Sequence, residues 1–330
     1  MKIRALILPV HHENIFGEKY SARLAELGEV KFYDRTVFTD RAYVLDFVRG
    51  ADVIITSWGT PKLDEEILAA CPNLSLVLHA AGSVKPIMTD ALLKKRPRMS
   101  ASAIALGEGV AETALGLAIS ACKGIYPLAK DTAAGLWDEH RTERVKDFFD
   151  ITVGVISAGF VGRHMIKLLK SFHVDILLYD PTLSTEECAA LGAEKVELCD
   201  LLSRSDVVSV HAPSIPATEK MLNADNLCLI RDGAILINTA RGAIIDEGAL
   251  IEELKKGRFF ACIDVTEPEP PSADNALRTL PNVILTPHIA GAVTNGLRRI
   301  GGHVCEELTR FAIGEVMRTE VDLDRLEGMA

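Results

Sequence analysis

This chain of 330 residues lacks the features that would place it in several classes of protein. Its seven cysteines are scattered without a CxxC pair or a cysteine–histidine spacing, which argues against a disulfide framework or a zinc site, and no metal is expected. The chain has no long basic run and a formal net charge of −10, so nucleic acid is not an expected partner. No apolar run approaches a membrane span, and the apolar stretch after the basic start is too short for a signal peptide. These absences predict a reduced, cytoplasmic protein with no membrane partner.

The chain does contain an ordinary globular composition, with 48% hydrophobic and 25% charged residues. Its length is natural for two domains. Short apolar segments alternate with helix-like ones in both halves, which predicts an α/β fold with two doubly wound parallel-sheet domains. We assign residues 1–102 together with 292–330 to the smaller domain and residues 103–291 to the larger, with a long apolar helix near 108–126 connecting them.

The strongest local pattern lies in residues 151–181, which combine a strand, a glycine turn, a helix and a second strand. The turn reads Ser157-x-Gly159-x-x-Gly162, and Asp180 ends the second strand. This is the layout of a dinucleotide site: the glycines admit a pyrophosphate and a closely packed helix, and the acid binds ribose hydroxyls. Serine replaces the usual first glycine, so the context of strand, helix and acid carries the prediction.

The residues after Asp180 indicate which dinucleotide is preferred. An enzyme that uses NADP needs a cation near the ribose 2′-phosphate. No lysine or arginine follows Asp180 until Lys195. An acid without a neighbouring base would repel the additional phosphate, so NAD (NADH) is predicted in preference to NADP.

Polar residues follow four further strands of the larger domain. They are His211–Pro213, Asn238–Gly242, Asp264 and Thr286–His288. Ligands of open parallel sheets bind at the carboxyl ends of the strands. We therefore expect an arginine, one or two glutamates and a histidine to converge near the nicotinamide.

The segments that contain these strand ends are SDVVSVHAP, GAILINTARGAIIDEGALIEEL, ACIDVTEPEP and NVILTPHIAG. Together with VAE at Val110–Glu112, they make nearly the whole chain resemble the D-isomer-specific 2-hydroxyacid dehydrogenases. The resemblance implies a Rossmann-type NAD domain, a smaller flavodoxin-like substrate domain, and hydride transfer between NADH and a 2-oxo acid that gives a D-2-hydroxy acid. It also implies a homodimer formed through the cofactor domains.

The resemblance places the catalytic residues at Arg241, Glu269 and His288. Glu267 also stands before a proline and fits the acidic motif. Glu269 is preferred because the acid of the family usually lies five residues beyond the strand-end aspartate, which is Asp264 here.

The implied chemistry explains why these three residue types are needed. Arg241 would hold the substrate carboxylate with its planar fork and orient the neighbouring carbonyl. His288 would donate a proton to the carbonyl oxygen during reduction and accept it during oxidation. Glu269 would orient the imidazole and favour its protonated form.

The resemblance also implies the remaining ligand contacts. Cofactor contacts fall on Ser157, Gly159, Phe160, Val161, Gly162, Asp180, His211, Pro213, Thr239, Ala240, Arg241, Asp264, His288 and Gly291. Substrate contacts fall on Ala81, Gly82 and Ser83, whose backbone N–H groups would bind the carboxylate, and on Arg241 and His288.

The departures from the family pattern are on the substrate side. Val84-Lys85-Pro86 replaces the usual glycine followed by Asp-Asn, and Leu106 stands where an asparagine is common. Trp58, at another strand end, would narrow the pocket, and Lys85 is either a surface residue or a second anion contact. The identity of the small 2-oxo acid is therefore left open.

Two other functions stay open. Formate or phosphite oxidation on the same scaffold is disfavoured, because formate enzymes of the family carry glutamine where Glu269 stands. The other is a non-catalytic NAD-binding regulator of the corepressor type. The complete arginine, glutamate and histidine set argues against it, although such relatives can retain the set.

Overall fold

The computed structural model describes residues 1–137, 145–291 and 293–324, and the chain divides into two compact units. One consists of Met1–Leu106 with Ala292–Ala330, and the other is Gly107–Gly291. The division falls after residue 106, whereas the sequence predicted it after residue 102. The difference arises because Ala105 and Leu106, near the start of the connecting helix, pack in the core of the first unit.

The first unit is built on a five-stranded parallel sheet in the order β2-β1-β3-β4-β5. Its strands are β1 (Lys2–Leu6), β2 (Glu29–Phe32), β3 (Val53–Thr56), β4 (Leu76–His79) and β5 (Arg98–Ala101). Its helices are α1 (Pro9–Ile15), α2 (Gly17–Leu27), α3 (Arg41–Val48), α4 (Glu65–Ala70) and α5 (Asp90–Lys95). Strands β3 and β4 are fully buried, as expected for a parallel sheet covered on both faces.

The second unit holds a seven-stranded parallel sheet in the order β12-β11-β10-β9-β6-β7-β8. Its strands are β6 (Ile151–Ile156), β7 (Val174–Tyr179), β8 (Glu194–Lys195), β9 (Val207–Val210), β10 (Ile235–Asn238), β11 (Phe260–Ile263) and β12 (Val283–Leu285). Its helices are α6 (Ala103–Cys122, which begins in the first unit), α7 (Ile125–Ala133), α8 (Phe160–Leu169), α9 (Thr185–Leu191), α10 (Leu198–Arg204), α11 (Ala224–Leu227) and α12 (Glu247–Lys255). The strand order reverses between β6 and β9, which makes their carboxyl ends the expected binding point of a doubly wound fold.

The chain returns to the first unit through α13 (Arg298–Ala312), whose buried face contributes Ile300, Val304 and Leu308 to the core. Two α/β units with parallel sheets confirm the fold class predicted from the sequence.

Helix α6 requires one correction. By length and composition, Ala103–Cys122 is apolar enough to cross a membrane, whereas the sequence analysis expected no such segment. Much of its apolar character comes from alanine, which does not form a conspicuous hydrophobic run. Ala111, Ala114 and Leu117 pack in the core of the second unit, as in the core helix of a globular domain.

Candidate active site

The glycine turn between β6 and α8 has the shape that a dinucleotide requires. A Cβ atom on Gly162 would lie 2.0 Å from the carbonyl oxygen of Ser157, so only glycine allows α8 to pack against the turn. A Cβ on Gly159 would meet no atom within 4 Å. That space lies at the N-terminus of α8, whose first N–H groups and dipole favour an anion. A pyrophosphate therefore fits the turn.

Ser157 adopts a backbone conformation that is unusual for a residue with a side chain. Its φ angle is 73°, in the left-handed region where a side chain costs roughly 1–2 kcal/mol. The hydroxyl lies 3.4 Å from Oδ2 of Asp180, a long contact that compensates only weakly. The serine thus occupies a backbone conformation that favours glycine.

Asp180, at the end of β7, is buried and surrounded by donors. Its Oδ2 accepts the N–H of Ala158 at 2.8 Å, and its Oδ1 accepts both the N–H of Thr182 at 2.9 Å and the Thr182 hydroxyl at 2.6 Å. Burial alone would raise the pKa of Asp180, but the hydrogen bonds from Thr182 and Ala158 outweigh it and lower the pKa. The carboxylate is therefore ionised at neutral pH and fixed in position.

Two buried polar atoms near the ends of β9 and β10 have no hydrogen-bond partner in the described part of the chain. They are Nδ1 of His211 and the hydroxyl of Thr239. Burial lowers the pKa of His211 to about 4, so the ring is neutral, and its Nε2 lies 2.9 Å from the Ser209 hydroxyl. Buried groups of this kind are costly unless a ligand completes them. Both fit the polar edge of a nicotinamide nucleotide.

Asp264 organises the loop that carries His288. Its side chain is buried, with 2% exposed. Its Oδ1 accepts hydrogen bonds from the Thr286 hydroxyl at 2.5 Å and from the N–H of Ile289 at 2.9 Å. Its Oδ2 accepts a hydrogen bond from the N–H of Ala290 at 2.8 Å. Its backbone oxygen also accepts the N–H of His288 at 2.9 Å. These bonds hold His288 at a φ of 54°, an unusual conformation for a residue with a side chain.

The imidazole of His288 is paired with Glu269. The distance between Nδ1 of His288 and Oε1 of Glu269 is 2.6 Å, and both side chains are a little over two-fifths exposed. Of the two candidate acids, Glu269 is therefore the one that contacts the ring. Because the carboxylate engages Nδ1, Nε2 is the ring nitrogen that remains available for a ligand.

Arg241 follows β10 on a turn shaped by Asn238. The Asn238 amide donates to the carbonyl of Arg241 at 3.0 Å and accepts the N–H of Ala240 at 3.1 Å. A Cβ on Gly242 would lie 2.1 Å from the backbone of Thr266, so the glycine allows this turn to contact the loop that leads to Glu269. The guanidinium is exposed, and its Nη1 donates to the Ala240 carbonyl at 2.6 Å.

The other predicted contacts lie on the same loops or in the first unit. Phe160 and Val161 open α8, Pro213 follows β9, and a Cβ on Gly291 would meet no atom within 4 Å. In the first unit, Ala81, Gly82 and Ser83 form the turn after β4, with Ala81 buried and the other two partly exposed.

The sequence analysis assigned no role to three residues that shape the site, although two of them lie at the strand ends that it identified. Thr182 orders Asp180, Asn238 orders the Arg241 turn, and Thr286 bonds to Asp264. Thr182 carried a signal, because an aspartate whose side chain accepts the N–H two residues later forms an Asx turn. The other two are visible only once the loops are folded.

The fold and the turn define a dinucleotide-binding protein of the Rossmann class. A family model described as D-isomer specific 2-hydroxyacid dehydrogenase, NAD binding domain matches residues 115–290. The chain belongs to the D-isomer-specific 2-hydroxyacid dehydrogenase family, as its sequence motifs predicted.

Individual relatives agree with this assignment. A D-3-phosphoglycerate dehydrogenase of Methanocaldococcus jannaschii is 32% identical over 92% of this chain and 57% of its own length. A hydroxypyruvate reductase of Thermotoga maritima is 30% identical over 80% of this chain and 86% of its own. The structure of a D-2-hydroxyisocaproate dehydrogenase superposes with a TM-score of 0.79 at 26% identity, covering 97% of this chain and 99% of that one. This chain spans just over half the length of the phosphoglycerate dehydrogenase.

Proposed function

We propose that this protein is an NAD-dependent oxidoreductase that interconverts a small 2-oxo acid and a D-2-hydroxy acid. The observation that carries the proposal is the 2.6 Å hydrogen bond between Glu269 and Nδ1 of His288. It supplies an oriented proton donor on a loop that Asp264 anchors to the dinucleotide-binding sheet. Family membership makes hydride transfer the reaction that such a donor would assist.

Each residue has a distinct part in the proposed reaction. Arg241 binds the substrate carboxylate with two parallel N–H bonds and turns the carbonyl carbon toward the cofactor. NADH supplies the hydride when it is bound. As negative charge develops on the carbonyl oxygen, Nε2 of His288 delivers a proton to it, and Glu269 stabilises the ring during the transfer. In oxidation, the same nitrogen removes the hydroxyl proton.

The proposed ligand contacts include those predicted from the sequence. Gly159, Gly162 and the first turn of α8 would hold the pyrophosphate, and Thr239 would bind the nicotinamide half. The turn from Ala81 to Ser83 would give backbone N–H groups to the substrate carboxylate, a role that rests on the family resemblance. Asp264 would contact the nicotinamide through Oδ2, which accepts one hydrogen bond from the loop, whereas Oδ1 accepts two.

NADH oxidation in the presence of different 2-oxo acids tests the proposal. Glyoxylate, pyruvate, hydroxypyruvate and acids with larger side chains form a suitable panel. We expect at least one to be reduced, and the corresponding D-hydroxy acid, not its L-isomer, to be oxidised. A protein that binds NADH tightly but turns over no member of the panel would favour the regulator of the corepressor type.

Glu269→Gln should lower kcat for 2-oxo acid reduction by about 10- to 100-fold, because the amide cannot stabilise a positively charged ring as a carboxylate does. Glu267→Gln is the matched control, since Glu267 is an exposed acid of the same loop. We expect the control to stay within about 3-fold of wild type in steady-state assays. Equal losses in the two variants would contradict the assigned role of Glu269.

We also propose that NAD is preferred to NADP, because the buried, ionised carboxylate of Asp180 would repel a 2′-phosphate. In fluorescence titrations, Asp180→Asn should lower the ratio of the NADPH dissociation constant to the NADH dissociation constant by about 10-fold. Asp175→Asn is the control, because Asp175 is an exposed acid at the other end of β7. An unchanged ratio in Asp180→Asn would assign the preference to another residue.

We further propose a homodimer formed through the second units, in the cytoplasm. Several large apolar side chains of that unit are exposed, which is typical of an interface. They are Ile125, Tyr126, Leu136, Trp137 and Phe149. Sedimentation equilibrium at micromolar concentration should give twice the mass of one chain, and a monomer would refute this part of the proposal.

A further inference from the structure

The carboxyl edge of the first unit's sheet presents an aromatic pair. Trp58 follows β3 and is 37% exposed, and His11 lies in the first turn of α1, after β1. Their ring centroids are 5.7 Å apart with the planes inclined by 57°. Burial lowers the pKa of His11, so this ring is neutral near pH 7. The pair therefore forms an uncharged aromatic surface, of which the Trp58 ring is the apolar part.

This surface adjoins the turn to which we assign the substrate carboxylate. The Ser57 hydroxyl donates to the carbonyl of Ala80 at 2.9 Å, which ties the residue before Trp58 to the residue before Ala81. The Thr60 hydroxyl donates to the carbonyl of Leu6 at 2.9 Å and ties the same loop to the end of β1. The loop that carries Trp58 is thus fixed next to the turn proposed to bind the carboxylate, within one unit, and His11 lies against Trp58.

Several polar groups at this edge already hydrogen-bond within the protein. Besides Ser57 and Thr60, the Ser102 hydroxyl donates to the carbonyl of His79 at 3.1 Å. Nδ1 of His79 in turn lies 2.8 Å from the Thr56 hydroxyl. These groups are therefore not available to bind a polar substituent of the substrate, whereas an apolar substituent could pack against the Trp58 ring.

The same loops are poor in the cations that a phosphate needs. Residues 7–12, 57–63 and 80–87 contain no arginine, and their two lysines are Lys62 and Lys85, both exposed. Phosphate recognition usually employs the bidentate fork of arginine or several converging donors. Lys85 alone is the competing candidate for a second anionic group.

We propose that Trp58, assisted by His11, selects 2-oxo acids whose side chain is apolar, branched or aromatic, over those that carry a phosphoryl or second carboxylate group. This inference rests on the proposed function, because it concerns the substrate of the same reaction. Burial of such a side chain against Trp58 removes apolar surface from water, and a pocket discriminates by about 10- to 200-fold per small apolar group.

The test compares kcat/KM for four acids: glyoxylate, 4-methyl-2-oxopentanoate, phenylpyruvate and 3-phosphohydroxypyruvate. Glyoxylate has no side chain, so its value corrects each variant for general damage. Wild type should prefer the two apolar acids to the phosphorylated one. Trp58→Ala should lower the ratio of 4-methyl-2-oxopentanoate to glyoxylate by about 10- to 100-fold, while Trp58→Phe should keep it within about 3-fold. Lys85→Met should leave that ratio unchanged.

The outcomes separate this inference from the function on which it rests. If wild type reduces 2-oxo acids but Trp58→Ala leaves the ratio unchanged, the inference fails and the proposed function stands. A wild-type preference for 3-phosphohydroxypyruvate that disappears in Lys85→Met would also overturn it, in favour of an anion contact. If wild type binds NADH and reduces none of the four acids, the proposed function fails and this inference fails with it.

Discussion

Replacement of His288 by asparagine should reduce kcat by about 10²- to 10⁴-fold while NADH binding stays within about 3-fold of wild type. Asparagine can still donate a hydrogen bond to Glu269, but it cannot carry a proton to the substrate oxygen or take one from a hydroxyl. The anchoring of the loop by Asp264 involves backbone N–H groups of Ile289 and Ala290, which the substitution does not remove. The loss should therefore fall on the chemical step.

Stopped-flow measurement of hydride transfer, together with an NADH titration, checks this expectation. His173→Asn is a suitable control because His173 belongs to the same unit, is exposed, and lies with its ring centroid 5.5 Å from that of Phe149. Near-normal turnover in His288→Asn would exclude this residue as the acid–base group. Weakened NADH binding with an unchanged chemical step would instead make it a cofactor ligand.

The fold was predictable because its strands can be recognised in the sequence from their composition. Short runs rich in β-branched residues, such as that from Ile151 to Ile156, are typical of parallel sheets covered on both faces. Once the sheet is parallel, the carboxyl ends of its strands share one edge, so residues as distant in sequence as Arg241 and His288 are expected at the same edge of the second unit. This is a consequence of topology and needs no knowledge of side-chain contacts.

The sequence could not predict whether the polar groups at the strand ends hydrogen-bond to a ligand or to neighbouring loops. The sequence analysis assigned Asp264 to the nicotinamide, but its carboxylate also fixes the loop of His288 through three bonds. Asp180 likewise accepts three close bonds within the protein. A strand-end acid appears identical in sequence whether its oxygens face a ligand or a neighbouring loop, because that choice depends on loop geometry.

The position of the boundary between the domains also could not be predicted, because it depends on how the connecting helix packs. The sequence identifies a helix that connects the domains, but not which of its residues pack on either side. Ala105 belongs to the core of the first unit and Ala111 to that of the second, although both are alanines of one helix. Small residues carry little pattern, so the sequence analysis placed the domain boundary after residue 102, whereas the first unit extends to Leu106.

Replacement of Arg241 by lysine should lower kcat/KM for a 2-oxo acid by about 100-fold although the positive charge is kept. A lysine ammonium is a point charge, whereas the guanidinium offers two parallel N–H bonds that fix both the carboxylate and the direction of the carbonyl. Loss of one charge-assisted bond costs about 1.5–3 kcal/mol, and the misdirected carbonyl reduces kcat as well as raising KM. NADH binding should change little, because the cofactor retains the glycine turn and Asp180.

Oxamate, which carries the same carboxylate but cannot accept a hydride, separates binding from chemistry. If Arg241 holds the carboxylate, the inhibition constant of oxamate should rise in Arg241→Lys, and the additional fall in kcat should measure the orientation effect. Arg231→Lys is the matched control, since Arg231 is a surface residue of the same unit whose pairing with Asp206 is worth little. An oxamate constant that is unchanged in Arg241→Lys would show that another group binds the carboxylate. The fork of Arg241 would then serve the cofactor or the protein, and the Ala81–Ser83 turn would become the sole assigned carboxylate site.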